Sequence, residues 1–147
     1  MSAVQHHPII LIAEDDKPFL DRVSAVFNTR NYDVICTQDG KEALNILLHE
    51  PLDLALLDVR LPCGNGMALC HIVKSDPRIR QIPVVLLAGE ASLVPRVEGI
   101  RVGADDFLKK SLNLQELMRR VRSLLKLKFF QDEMEQMEQW EEVPKAC

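Results

Sequence analysis

The sequence predicts an α/β domain built on an open parallel sheet with helices on both faces, and three observations carry this. Three short runs, IILIA (Ile9–Ala13), LALL (Leu54–Leu57) and VVLL (Val84–Leu87), are apolar without alternation. That is the pattern of parallel strands covered on both faces. The segments between them repeat apolar residues at spacings of three and four, the helical period. Strand and helix alternate five times, which the crossover rule closes into a parallel sheet.

Taken in order, the first strand ends on three consecutive acids, Glu14, Asp15 and Asp16. Lys17-Pro18 then opens a helix, proline suiting its first turn, and Asp16 is expected to start it. Phe19, Val23, Val26 and Phe27 form its apolar stripe. A weaker strand, YDVICT (Tyr32–Thr37), precedes Asp39-Gly-Lys-Glu42, a capping box that starts the second helix. Its stripe is Ala43, Leu44, Leu47 and Leu48. The third strand delivers Asp58 into the loop VRLPCGNG, and Met67, Leu69, Cys70 and Val73 mark the third helix. Val94, Val97 and Ile100 mark a fourth helix, DFLKK (Asp106–Lys110) a fifth strand, and Asn113-Leu-Gln-Glu116 a second capping box. No GxGxxG follows the first strand, so a dinucleotide site is not expected.

The last helix is expected to outrun the sheet. Its apolar pattern continues through Leu114, Leu117, Val121, Leu124, Leu127, Phe130, Met134 and Met137. Its charge changes sign: Arg119, Arg120, Arg122, Lys126 and Lys128 give way to Asp132, Glu133, Glu135, Glu138, Glu141 and Glu142. A solvated tail and a coiled-coil or linker helix, the latter allowing a homodimer, both fit two heptads. Residues 1–125 are therefore expected to form the domain and 126–147 a helical extension.

Composition narrows the function classes. A chain of 147 residues, 47% hydrophobic, suits one domain with a real core. A net charge of -4 and a pI near 5.6 argue against direct nucleic-acid binding. No apolar run approaches the roughly 20 residues that span a bilayer, and MSAVQHHP has no signal-peptide core. Cys36, Cys63, Cys70 and Cys147 show no CxxC pair or zinc spacing, so reduced thiols in a cytoplasm are expected. His6, His7, His49 and His71 likewise lack ligand spacing and are expected on the surface.

The chemistry gathers at strand ends, where open parallel sheets form their sites. Glu14 and Asp15 follow the first strand, Asp58 the third and Lys110 the fifth. With the first and third strands adjacent, three carboxylates would converge, and unbalanced they would repel. A hard divalent cation resolves this, and an all-oxygen site suits Mg²⁺. Lys110 supplies a further positive charge for a phosphate oxygen. An Asp between Mg²⁺ and Lys is a nucleophile suited to phosphoryl transfer, and Asp58 is the candidate. A hydrolase would want an acid two residues past that nucleophile, where Arg60 stands, so efficient turnover is not expected and the chain is read as a non-enzyme.

The pieces ILIAEDD, LALLDVRLPCGNGM, IPVVLL and GADDFLKK, in this order, resemble the receiver domain of two-component response regulators. The resemblance implies a flavodoxin-like fold of strand order 2-1-3-4-5. It implies Asp58 as phospho-acceptor, Glu14, Asp15, Asp58 and the Arg60 carbonyl as the Mg²⁺ set, and Lys110 against the phosphoryl group. A histidine kinase or phosphotransfer protein is the implied donor, and a downstream protein or domain the implied output. Any phosphatase activity would be slow self-dephosphorylation. Two positions depart from the family pattern. Ala88 stands where Thr or Ser usually meets a phosphoryl oxygen, a lost hydrogen bond worth ~1.5–3 kcal/mol. Ser111 stands where Pro usually follows the Lys, often through a cis bond. A non-proline cis bond costs ~2.5–4 kcal/mol, so a trans peptide is expected. Phe107 occupies the aromatic switch position. Ala88 and Ser111 also leave room for a pseudo-receiver, an interaction module with weakened or absent switching.

Overall fold

A computed structural model describes residues 7–89 and 93–142. His6, Cys147 and the side chain of Val94 lie outside the described residues. The elements alternate as β1 (Ile9–Ala13), α1 (Lys17–Thr29), β2 (Asp33–Thr37), α2 (Gly40–His49) and β3 (Leu54–Asp58). They continue as α3 (Gly66–Ser75), β4 (Val84–Ala88), α4 (Leu93–Arg101), β5 (Asp106–Lys109) and α5 (Leu114–Glu142). The strands form one parallel sheet in the order β2-β1-β3-β4-β5, as the flavodoxin-like expectation requires.

The sheet is covered on both faces, and the period-2 pleat decides which side chain goes where. Ile10, Ile12, Leu54, Leu56, Val85, Leu87 and Leu108 pack with α1 and α5 on one face. Leu11, Ala13, Ala55, Leu57, Val84 and Leu86 pack with α2 and α3 on the other. Every residue of β3 and β4 is buried, which is why these strands read as continuous apolar runs. The edge strands β2 and β5 are partly exposed and read more weakly. Asp58 and Ala88 fall inside β3 and β4, whereas Lys110 falls one residue beyond β5.

Side-chain oxygens close the helix starts. Asp16 caps α1 by accepting the Phe19 N–H, and Asp39 caps α2 by accepting that of Lys41. Asn65 accepts from Ala68 at 2.7 Å, and Asn113 from Glu116 at 2.8 Å. Each such cap is worth about 1 kcal/mol.

Two helical stripes differ from the sequence expectation. In α2, Ile46 is buried and Leu48 exposed, because the core-facing line runs through Ala43, Ile46 and Leu47. In α4, Val97 and Ile100 face solvent. There Gly99 meets the sheet, so close that an added Cβ would lie 2.9 Å from the Phe107 ring and 3.1 Å from Leu86. Among the described side chains of α4, the small residue Gly99 and not Val97 or Ile100 meets the sheet. In α5 the buried positions are Leu117, Met118, Val121 and Leu125, with Phe129 partly buried against the same cluster.

Candidate functional site

The alternation that sorts the core also assembles the site. Glu14 continues the face of Ile10 and Ile12, Asp58 that of Leu54 and Leu56, and Lys110 that of Leu108. The Glu14 N–H donates to the Thr37 carbonyl at 3.0 Å, and the Lys110 N–H to that of Ala88 at 2.7 Å, so the ladders extend past the strand ends. Three charged side chains therefore arrive on one face at the carboxyl edge of β1, β3 and β5.

They meet. The Lys110 ammonium donates to Glu14 Oε2 and to Asp58 Oδ2, both at 2.7 Å. Glu14 Oε2 also accepts the Asp16 N–H at 3.0 Å, and Asp58 Oδ1 accepts the Arg60 N–H at 3.0 Å. Lys110 lies 5.7 Å over the Phe19 ring, a cation–π contact that steadies it from α1. Glu14 and Asp58 are 0% and 2% exposed. The trans peptide expected after Lys110 is found, since no described peptide bond is cis.

Charge is unbalanced here. One ammonium serves two buried carboxylates, and Glu14 Oε1 is buried with no hydrogen-bond partner. Burial pushes the Glu14 carboxyl up to about 7; Asp58 beside it adds to this, while Lys110 and the Asp16 amide pull the other way. Burial draws Lys110 down, but its bonds to Asp58 and Glu14 outweigh that and hold it above its ordinary value.

A stability slope follows from Glu14. Its folded value near 7 lies above the ordinary 4.5. The stability it contributes is thus full below about pH 4.5 and lost as the pH rises through about 7. Metal-free chain is expected to lose stability between about pH 5 and about pH 8, with Glu14→Gln flattening that slope. Urea denaturation of both chains across the range measures it; parallel slopes would remove Glu14 as the cause.

The acids are not equivalent. Asp15 is exposed beside the buried pair, its carbonyl accepting Gln38 Nε2 at 3.0 Å, and Asp16 is turned to the helix start. The structure thus joins two carboxylates through Lys110 rather than converging three. Among the described residues no three His, Cys, Asp or Glu side chains form a ready metal cluster. The donor set still suits a cation that keeps several waters: a buried carboxylate oxygen without a partner, a second carboxylate and an exposed third. Glu14, Asp15, Asp58 and the Arg60 carbonyl are the residues that could hold it.

Two further residues shape the site. Gly66, first in α3, packs so tightly that an added Cβ would lie 2.4 Å from the Asp58 carbonyl oxygen. Gly40, first in α2, likewise abuts Gly64 of the loop before α3: an added Cβ there would lie 2.9 Å from the Gly64 oxygen. Only the glycines of CGNG hint at this in the sequence. Ala88 is buried and holds the Lys110 backbone through its carbonyl, while its side chain supplies no hydroxyl. Phe107 is partly buried, its ring against Gly99 and Leu86. Cys36 and Cys63 are free and exposed; Cys70 is buried, its thiol pushed up to about 11 by burial. His7 lies 3.8 Å from Asp33, His49 Nδ1 donates to the Asn45 carbonyl at 2.8 Å, and His71 is exposed.

A 2-1-3-4-5 parallel sheet with acid, acid and lysine at its carboxyl edge defines the receiver class of signalling domain. The family model for the response regulator receiver domain matches residues 10–122, and the chain belongs to that family. It is similar to the signal receiver domain of a signal transduction histidine kinase from Syntrophus aciditrophicus, at 32% identity. That match covers 81% of this chain and 90% of the other, with a TM-score of 0.76. A response regulator receiver domain from Francisella is 31% identical over 82% of this chain and 98% of its own, with a TM-score of 0.75. A receiver domain protein from Methanospirillum hungatei is 25% identical over 86% and 99%, with a TM-score of 0.80. Among the described residues no helix is long and apolar enough to cross a membrane.

Proposed function

We propose that this receiver accepts a phosphoryl group on Asp58 from the phosphohistidine of a histidine kinase or phosphotransfer protein, and acts as a cytoplasmic signalling switch. The observation that carries this is the buried Glu14–Lys110–Asp58 group, with both bonds at 2.7 Å. An Asp oxygen attacks phosphorus as the P–N bond to the donor imidazole breaks, and the imidazole leaves with the electron pair and takes a proton. The Arg60 amide on Oδ1 and Lys110 on Oδ2 fix the plane of the Asp58 carboxylate before attack. Lys110 then pairs with a phosphoryl oxygen, exchanging one anion for another. Mg²⁺, held by Glu14, Asp15, Asp58 and the Arg60 carbonyl, would neutralise charge on the transferring group.

The acyl phosphate adds roughly -1 to -2 of charge. Its output surface is the α4–β5–α5 side, where Phe107 packs on Gly99 and Val97 and Ile100 stand exposed. Residues 1–125 serve as the receiver unit and 126–147 as an extension to a partner. A pseudo-receiver reading has one observation in its favour: Ala88 offers no hydroxyl to a phosphoryl oxygen. In this reading Asp58 is phosphorylated weakly or not at all, and the same surface binds constitutively.

Acetyl phosphate with Mg²⁺ separates the two. An adduct of about +80 Da, one PO₃H group, is expected on the chain by intact mass and absent from Asp58→Asn. No adduct, together with no Mg²⁺ binding, would favour the pseudo-receiver.

A further inference from the structure

We infer that a cleft between the end of α1 and the first turns of α5 binds a nucleoside monophosphate, its phosphate on guanidinium groups and its flat base over Tyr32 and Met118. The cleft has a volume of about 420 Å³ and is lined by Arg30, Tyr32, Gln115, Met118, Arg119 and Arg122. Arg30 and Tyr32 stand just before β2, at the amino edge of the sheet, whereas Asp58 and Lys110 stand at its carboxyl edge. The floor is fixed from behind. Asn31, in the left-handed region at φ 64°, turns the chain out of α1, and the Tyr32 N–H donates to the Phe27 carbonyl at 3.2 Å. The Tyr32 ring stands edge-on to Phe27 with 5.7 Å between centroids, and Met118 is buried in the same core cluster. A ring and a thioether held in this way form an apolar surface before any ligand arrives.

The rim identifies the ligand class. Three guanidinium groups and no carboxylate line the cleft, in a chain whose net charge is -4. Arg119 is already held by Glu116, at 2.6 and 2.9 Å. The guanidinium groups of Arg30 and Arg122, the Tyr32 hydroxyl and the Gln115 carboxamide have no partner among the described residues. A guanidinium fork matches two phosphate oxygens at once, and two free forks balance the roughly -1.5 to -2 of a phosphomonoester. Inorganic phosphate would leave most of the space empty. The volume falls in the range of about 300–1,000 Å³ that small-molecule sites occupy. The remainder is floored by Tyr32 and Met118, and a base stacked on an aromatic side chain gains affinity whatever its identity.

The test is isothermal titration calorimetry of the full chain, unphosphorylated, without Mg²⁺ and at fixed ionic strength, so its result does not depend on whether Asp58 takes up phosphoryl. The ligands are AMP, GMP, CMP and UMP in turn, with ribose 5-phosphate as the phosphate without a base. At least one nucleotide is expected to bind with a Kd below about 1 mM, and ribose 5-phosphate about tenfold more weakly. Arg30→Ala and Arg122→Ala change exposed side chains, which costs the fold little. Each should weaken the nucleotide about tenfold, the scale of a charged hydrogen bond. Lys41→Ala, an exposed position on α2 across the sheet, should leave its affinity unchanged. No saturable binding of any of the four overturns the proposal. Ribose 5-phosphate binding as tightly as the nucleotide overturns it too, since the floor would then be unused. So do arginine variants that bind like the parent chain, and an equal loss in Lys41→Ala, which would mean general charge attraction rather than a site.

Discussion

Replacing Lys110 with methionine is expected to destabilise the folded chain by about 3 kcal/mol near pH 8, the scale for removing one partner of a buried ion pair. Methionine fills much of the space of the lysine stem, so the loss is mainly of charge. Lys110 holds Glu14 and Asp58 at 2.7 Å each, and both carboxylates are nearly without solvent. Without the ammonium they face each other across a dry gap, with Glu14 Oε1 already lacking a partner. The cheapest relief is a proton. Glu14, already raised to about 7 with Lys110 opposing the shift, then moves higher still. The destabilisation should therefore be largest above that value and shrink as the pH falls toward about 6. Mg²⁺ should restore much of it at high pH, since a divalent cation relieves the same repulsion. Urea titrations at the two pH values, with and without Mg²⁺, measure all of this. A loss that is equal at both and indifferent to the metal would mean that Lys110 contributes packing rather than charge.

The central strands could be read because burial on both faces leaves no polar position, as in β3 and β4. The edge strands β2 and β5 are half-solvated, and their alternation is diluted over four or five residues. The charged site was legible as a set of strand ends, but the division between Glu14 and Asp15 needed the pleat. Counting by two from Ile10 and Ile12 reaches Glu14, and from Leu54 and Leu56 reaches Asp58, so sequence parity alone could have picked the buried pair. The outward stripe of α4 could not be read this way. Among its described residues the one that meets the sheet is Gly99, and a missing side chain leaves no hydrophobic signal. Heptad spacing past Leu125 was visible, yet only exposure separates a seam from a core stripe.

The same blindness to absent side chains hides the second large effect. Gly66→Ala is expected to reduce phosphoryl uptake by Asp58 about a hundredfold, the scale of an ångström's misplacement at a reacting group. The new Cβ would sit 2.4 Å from the Asp58 carbonyl oxygen, 2.9 Å from its carbon and 3.2 Å from the Leu57 oxygen. All three are backbone atoms of a central strand, so no side chain can swing aside. Alanine's better helix propensity, at most ~1 kcal/mol and smaller in a first turn, does not offset overpacking of ~1–3 kcal/mol. The strain is relieved by moving either α3 or the end of β3, and the latter carries Asp58 away from Lys110 and the Arg60 amide. Asn65→Ala is the control. It removes the cap on Ala68, about 1 kcal/mol of stability, but places nothing against Asp58. Rates of adduct formation with acetyl phosphate, measured where both variants are folded, should fall sharply only for Gly66→Ala. Equal rates in the two would show that Asp58 tolerates the shift, and that the tight contact serves only to dock the helix.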